Sequence, residues 1–103
     1  MQPSFRLIIA NKAATDLERI FAYIRNDSPT QAAAMVERIL SGVESLKVLP
    51  HRTIVQGQPT SAKPPIRSLP IGSYIVFFRV MDEESVVRIL RVRHGSRRSL
   101  KRF

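Results

Sequence analysis

The sequence predicts an α+β fold in the order β-α-α-β-β-β, a helical hairpin packed on a small, mainly antiparallel sheet. Three observations predict it. Apolar residues recur at helical spacing through the first half of the chain. Residues 74–80 alternate in a β period and are followed by an acidic turn and a second apolar arm. Between the two apolar helical stripes stands Ser28-Pro29-Thr30-Gln31, which starts a helix. A helical hairpin and a sheet each carry an apolar face that the other can cover.

Residues 4–9 read as a short opening strand after Pro3, with Asn11 as the expected N-cap of the next segment. Leu17, Ile20, Phe21 and Ile24 then form the stripe of an amphipathic helix, and Asp16 and Glu18 in its first half suit the helix dipole. Asn26 and Asp27 break it. In the second helix Ser28 caps, Pro29 takes the first position, and Gln31 completes a capping box. Ala32, Val36, Ile39, Leu40, Val43 and Leu46 continue the stripe up to Leu49-Pro50. Gly42 interrupts it at a cost of about 1 kcal/mol relative to alanine. The hairpin should pack through Leu17, Ile20, Phe21, Ile24, Val36, Ile39, Leu40 and Val43.

Residues 51–65 hold Gly57 and three prolines and read as loop. Residues 66–69 are a short strand, and Pro70, Gly72 and Ser73 turn the chain. The next strand places Tyr74, Val76, Phe78 and Val80 on one face and Ile75, Phe77 and Arg79 on the other. Asp82 and Glu83 supply the hairpin turn. Residues 86–93 return as the second arm, which ends in Arg91, Arg93, His94, Gly95, Arg97 and Arg98.

The 103 residues are expected to form one domain, residues 1–103. Cysteine is absent, so disulfides and thiolate metal sites play no part. No apolar run approaches the roughly 20 residues needed to span a bilayer. The first residues lack the basic start and long apolar stretch of a signal peptide. The expected location is the cytoplasm. The formal net charge is +9, and it is unevenly spread. Residues 1–50 carry six basic side chains against five acidic ones, whereas from Arg88 onward there are seven basic residues and no acidic one. Such a field attracts polyanions and speeds encounter with acidic proteins. A solvated basic tail is the plainer alternative.

The common catalytic patterns are missing. The four glycines are scattered rather than gathered in a phosphate loop. His51 and His94 stand apart, so no metal cluster or cofactor is expected. No serine sits in a nucleophile elbow. One chemistry stays open: RNA cleavage through its own 2′-hydroxyl needs a base, an acid and cations, but no metal. His94 could move the proton, while Arg67, Arg91, Arg93 and Arg97 could hold phosphate with planar forks. The alternatives are a strand-end histidine bonded to backbone and an Arg67 paired with Asp82, Glu83 or Glu84. A sheet that reads RNA by stacking is disfavoured, because no glycine-rich aromatic signature is present.

The ordered segments resemble the RelE/ParE superfamily of bacterial type II toxins. Residues 14–24, ATDLERIFAYI, are similar to that family's first helix, with Asp16, Leu17, Ile20, Tyr23 and Ile24 carrying the match. SPTQA at residues 28–32 and LKVLP at 46–50 resemble the start and end of its second helix. Residues 67–80 and 86–97 resemble its last strands and exit. The first-helix pattern, LPIGSY and VRHGSR lean to the ParE branch.

That branch implies a protein inhibitor of DNA gyrase, neutralised by a ParD-like antitoxin and needing no cofactor or membrane. Its target-binding residues here would be Arg91, Arg93, His94, Arg97 and Arg98. The RelE branch implies instead a metal-independent endoribonuclease acting on messenger RNA at the ribosome, with His94, Arg67, Arg91 and Arg93 as its site. Against it, residues 73–75 read Ser-Tyr-Ile where that branch typically has an early arginine, and Gly95 and Ser96 follow the histidine. The arginines of the exit are expected to have little structural duty.

Overall fold

The computed structural model describes residues 4–56 and 63–97, the side chain of Arg97 excepted. Strand β1 (Arg6–Ile9) leads into helix α1 (Asn11–Arg25) and helix α2 (Pro29–Ser45). Strands β2 (Ile54–Gln56), β3 (Ile66–Ile71), β4 (Tyr74–Met81) and β5 (Val86–His94) follow. The five strands form one sheet in the order β1-β5-β4-β3-β2. β1 runs parallel to β5, and every other pairing is antiparallel. The predicted α+β hairpin-on-sheet fold is therefore borne out.

The predicted faces of β4 are also as expected. Tyr74, Val76, Phe78 and Val80 join the core with Ile20, Ile39 and Val43 from the helices, Leu46 just after α2, and Val87, Ile89 and Val92 from β5. Ile39, Leu46, Val76 and Phe78 are fully buried. Gly42 has a packing reason that helix propensity hides: a Cβ there would run into the Ile71 side chain. The bare backbone lets α2 lie close over β3.

Four local expectations are corrected. First, residues 54–56 are strand rather than loop, paired to β3 on one side only and tied by Gln56 Nε2 donating to the buried Ser68 Oγ at 2.8 Å. Pro59, Pro64 and Pro65 follow it, so nothing prevents a three-residue edge strand. Second, Asn11 begins α1 instead of capping it; Ala10 is the cap, its N–H held by the Ile89 carbonyl at 2.9 Å. Third, α2 ends at Ser45, before Leu49-Pro50. In the turn that follows, the Arg52 guanidinium donates to the carbonyls of Val48 and Leu49 at 3.0 and 3.1 Å, and Leu49 turns the chain with a left-handed φ of 52°. Fourth, Leu40 is 41% exposed, because the buried stripe runs through Ile39, Val43 and Leu46 and leaves it at the edge. The capping box is half made: the Gln31 N–H reaches Ser28 Oγ at 3.2 Å, while the Ser28 N–H bonds the Ile24 carbonyl.

Candidate functional site

The site grows from one buried carboxylate. β1 covers the edge of β5 only as far as Ile89, and beyond it no strand among the described residues lies beside β5 on that side. Asp16 of α1, one helical turn after Ala13 on the inward face, fills the gap. Its Oδ2 accepts the Val92 N–H at 2.9 Å. The same carboxylate takes a two-pronged bond from Arg91, Nε to Oδ2 at 2.8 Å and Nη2 to Oδ1 at 2.9 Å. A bulge in β5 makes room: Arg91 lies opposite Phe77 and Ile89 opposite Phe78, leaving Leu90 as the extra residue. The hydrogen bonds that Arg91 donates to Asp16 outweigh burial and raise the Arg91 pKa above its ordinary value.

This clamp forms the floor of an open cleft of about 970 Å³ between the hairpin and the far end of the sheet. Arg19 and Tyr23 of α1 and Arg38 of α2 line one side; Tyr74, Arg93 and His94 line the other. Arg38 owes its place to Gly72, which turns β3 into β4 at φ 58°. A Cβ at Gly72 would come within 3.2 Å of Arg38 Nη1. At the exit the Gly95 N–H bonds the Ser73 carbonyl at 2.7 Å, which ties the end of β5 to the β3–β4 turn.

His94 packs edge-on against Tyr74, ring centroids 5.4 Å apart at 83°. Its Nδ1 accepts the Ser96 N–H at 3.2 Å and lies 2.9 Å from Ser96 Oγ. With Nδ1 accepting, the neutral ring carries its proton on Nε2. The Tyr74 hydroxyl has its pKa raised, chiefly by burial and then by Tyr23. At neutral pH it is a hydrogen-bond donor rather than a phenolate.

The predicted site residues separate into three groups. Arg93 and His94 do meet at the cleft, beside Tyr74. Arg91 is there too, but the expectation that it has little structural duty is overturned, because it is bound to Asp16. Arg67 is elsewhere. It pairs across from Phe78, four residues along β4 from the Tyr74 that faces His94, roughly 13 Å away by strand rise. Its guanidinium donates to the carbonyls of His51 and Thr53 at 3.2 and 2.8 Å rather than to Asp82, Glu83 or Glu84. Asp82 is bonded to His51 at 2.7 Å. The Arg97 side chain and Arg98 lie outside the described residues. Sequence reasoning misses Arg19, Tyr23 and Arg38 as site residues, because helix periodicity alone marks them as solvated positions. Among the described residues no helix is long and apolar enough to cross a membrane.

A helical hairpin laid on a mainly antiparallel sheet is the fold that this chain shares with solved ParDE and RelBE toxin structures. The family model "ParE toxin of type II toxin-antitoxin system, parDE" matches residues 7–99, and the chain belongs to that family. No curated protein matches the sequence. Solved structures similar in fold include the chromosomal ParDE toxin-antitoxin system from P. aeruginosa, with TM-score 0.69 and 23% identity over 88% of this chain and 96% of that one. The RelBE2 toxin-antitoxin complex from Mycobacterium tuberculosis gives TM-score 0.61 and 23% identity over 88% and 91%. The archaeal RelE-RelB complex from Pyrococcus horikoshii OT3 gives 0.65 and 18% over 91% and 98%.

Proposed function

We propose that this toxin acts as a ParE-like inhibitor of DNA gyrase, restrained by a cognate ParD-like antitoxin. The observation that carries the reading is that two of the four residues a nuclease would use are already engaged in bonds within the fold. Arg91 is committed to Asp16 and Arg67 to backbone carbonyls at the other end of the sheet. Of the four residues of the cleavage reading, that leaves Arg93 and His94 on the cleft wall. Cations and tyrosines around an open groove suit recognition of a protein or its bound DNA more than bond chemistry. Arg93, Arg97 and Arg98 remain the residues proposed to carry target binding, with His94 beside them shaping the exit of β5.

The antitoxin is proposed to cover the cleft and the sheet edge. Ile54 of β2 is 65% exposed on an edge strand, a surface that soluble proteins keep covered or short. An acidic antitoxin tail would also complement the net charge of +9.

A second reading has one observation in its favour. His94, Tyr74 and Arg93 together offer a proton carrier, a neutral hydroxyl donor and a cation, the minimum for ribosome-dependent cleavage of messenger RNA. The test is to assay the purified toxin against DNA gyrase supercoiling and against ribosome-bound message in parallel. Gyrase inhibition with intact message supports the first reading. Message cleavage with unaffected gyrase replaces it with the second.

A further inference from the structure

On the sheet face turned away from the helices, two arginines sit directly opposite one another. Arg79 of β4 pairs across from Arg88 of β5. Phe78, Val80, Val87 and Ile89 all belong to the core, so alternation places Arg79 and Arg88 on the outer face. The row continues to Ile8 of β1 on one side and Ile66 of β3 on the other. Phe5 and Leu7 pack on the core, so Arg6 falls on the outer face as well, one row further on.

Like charges directly opposite across a sheet are destabilising. No carboxylate among the described residues relieves this pair. The five strands contain no aspartate or glutamate at all, and every basic residue in them before His94 is arginine. The closest acidic residues in sequence are those of the β4–β5 turn. Asp82 is taken by His51, and among the described residues neither Glu83 nor Glu84 forms an ion pair with Arg79 or Arg88. A strand pairing that costs stability and has no carboxylate partner among the described residues fits an external anion.

We infer that the Arg79–Arg88 face binds the phosphodiester backbone of duplex DNA. Arginine forks match phosphate oxygens two at a time. An acidic peptide fits less well, because a bound peptide gains most by adding to a sheet edge, and this is a face. A single strand also fits less well. Such binders stack bases on exposed aromatic rings, whereas the aromatic residue of this face, Phe77, is buried. A duplex already stacks its bases internally and presents only phosphates. The inference stands apart from the gyrase reading, since it concerns DNA binding by the toxin alone.

The test is fluorescence anisotropy of the full chain with a labelled duplex of arbitrary sequence across a salt series, without gyrase. A labelled single strand of the same sequence and poly-glutamate serve as competing probes. The wild type should prefer the duplex. Arg79→Gln with Arg88→Gln should flatten the slope of log K against log salt by about 2, near 0.9 for each phosphate that is no longer neutralised. Its melting temperature should hold or rise, since a like-charge pair is gone. Arg79→Lys with Arg88→Lys should keep the slope. An unchanged slope in the glutamine pair overturns the inference, as does equal loss in the lysine pair. Tighter binding of the single strand or of poly-glutamate also overturns it. Gyrase inhibition that persists in the glutamine pair would separate the two proposals.

Discussion

Asp16 of α1 holds Arg91 and Val92 of β5 with three hydrogen bonds at once. It does two jobs with one carboxylate: it completes the open edge of β5 and neutralises the arginine that would otherwise be left half-buried there. Breaking a buried ion pair by removing one partner typically costs about 3–5 kcal/mol, because the other charge stays behind. The Arg91 side chain is 20% exposed and that of Asp16 9%, so solvent softens this. Asp16→Ala should therefore lose up to about 3 kcal/mol in chemical denaturation. Arg91→Gln should also destabilise, by a smaller amount. A loss under about 1 kcal/mol for Asp16→Ala would mean the pair behaves as a surface bridge.

Gly42 makes a second prediction, one that departs from what helix propensity suggests. In an open helix, replacing it with alanine should gain about 1 kcal/mol. Here the added Cβ must displace the Ile71 side chain, so that gain should vanish. Gly42→Val, with more bulk and the same neighbours, should cost about 1–3 kcal/mol as overpacking. Denaturation midpoints of the two variants check this. A stabilised Gly42→Val would place α2 further from β3 than the structure does.

Much of the fold is legible in the sequence because the physics that makes it is local. The stripe at Leu17, Ile20 and Ile24, the Ser28-Pro29 start and the alternation of residues 74–80 each specify an element without reference to the rest of the chain. The site is less legible because it is made of long-range pairings. Asp16 reads as a dipole-favouring charge near a helix start, yet it occupies the inward face between Ala13 and Ile20, both buried. A carboxylate in that position needs a cation, and this is the available signal. Spacing does not reveal which cation, because the partner lies 75 residues away beside a bulge that no local pattern announces. The edge strand at residues 54–56 is hidden for a related reason: its pairing with β3 depends on a neighbour, not on its own three residues.

Tyr74 links stability to alkaline pH. Its hydroxyl ionises less readily in the folded chain than at its ordinary value of 10.0, mainly because it is buried. The folded state thus holds this proton more tightly than the unfolded state does. Stability from this source is complete below pH 10 and declines as pH rises through the folded pKa. Tyr74→Phe should flatten the decline above pH 10 while leaving neutral stability nearly unchanged. Denaturation curves at neutral and alkaline pH, with tyrosinate absorbance as a second readout, test it. An identical alkaline decline in the variant would assign the effect to other groups.

The last prediction concerns His94 and separates positioning from proton transfer. Its Nδ1 is occupied by Ser96, and its ring leans on Tyr74, so the side chain helps shape the exit of β5. Glutamine can keep one hydrogen bond to that exit but cannot exchange a proton near neutral pH. If the toxin inhibits its target by binding, His94→Gln should retain most of the inhibition, and the two forms should respond alike to pH between about 6 and 8. If the toxin cleaves RNA with His94 as acid or base, the same variant should lose about 100- to 10,000-fold in rate. The wild type would then show a pH profile that the variant lacks. The melting temperature and antitoxin binding of His94→Gln are the controls, since both should survive in either case. Near-complete loss of toxicity with those controls intact would transfer the cleft to the nuclease reading, with Tyr74 and Arg93 as the residues to test next.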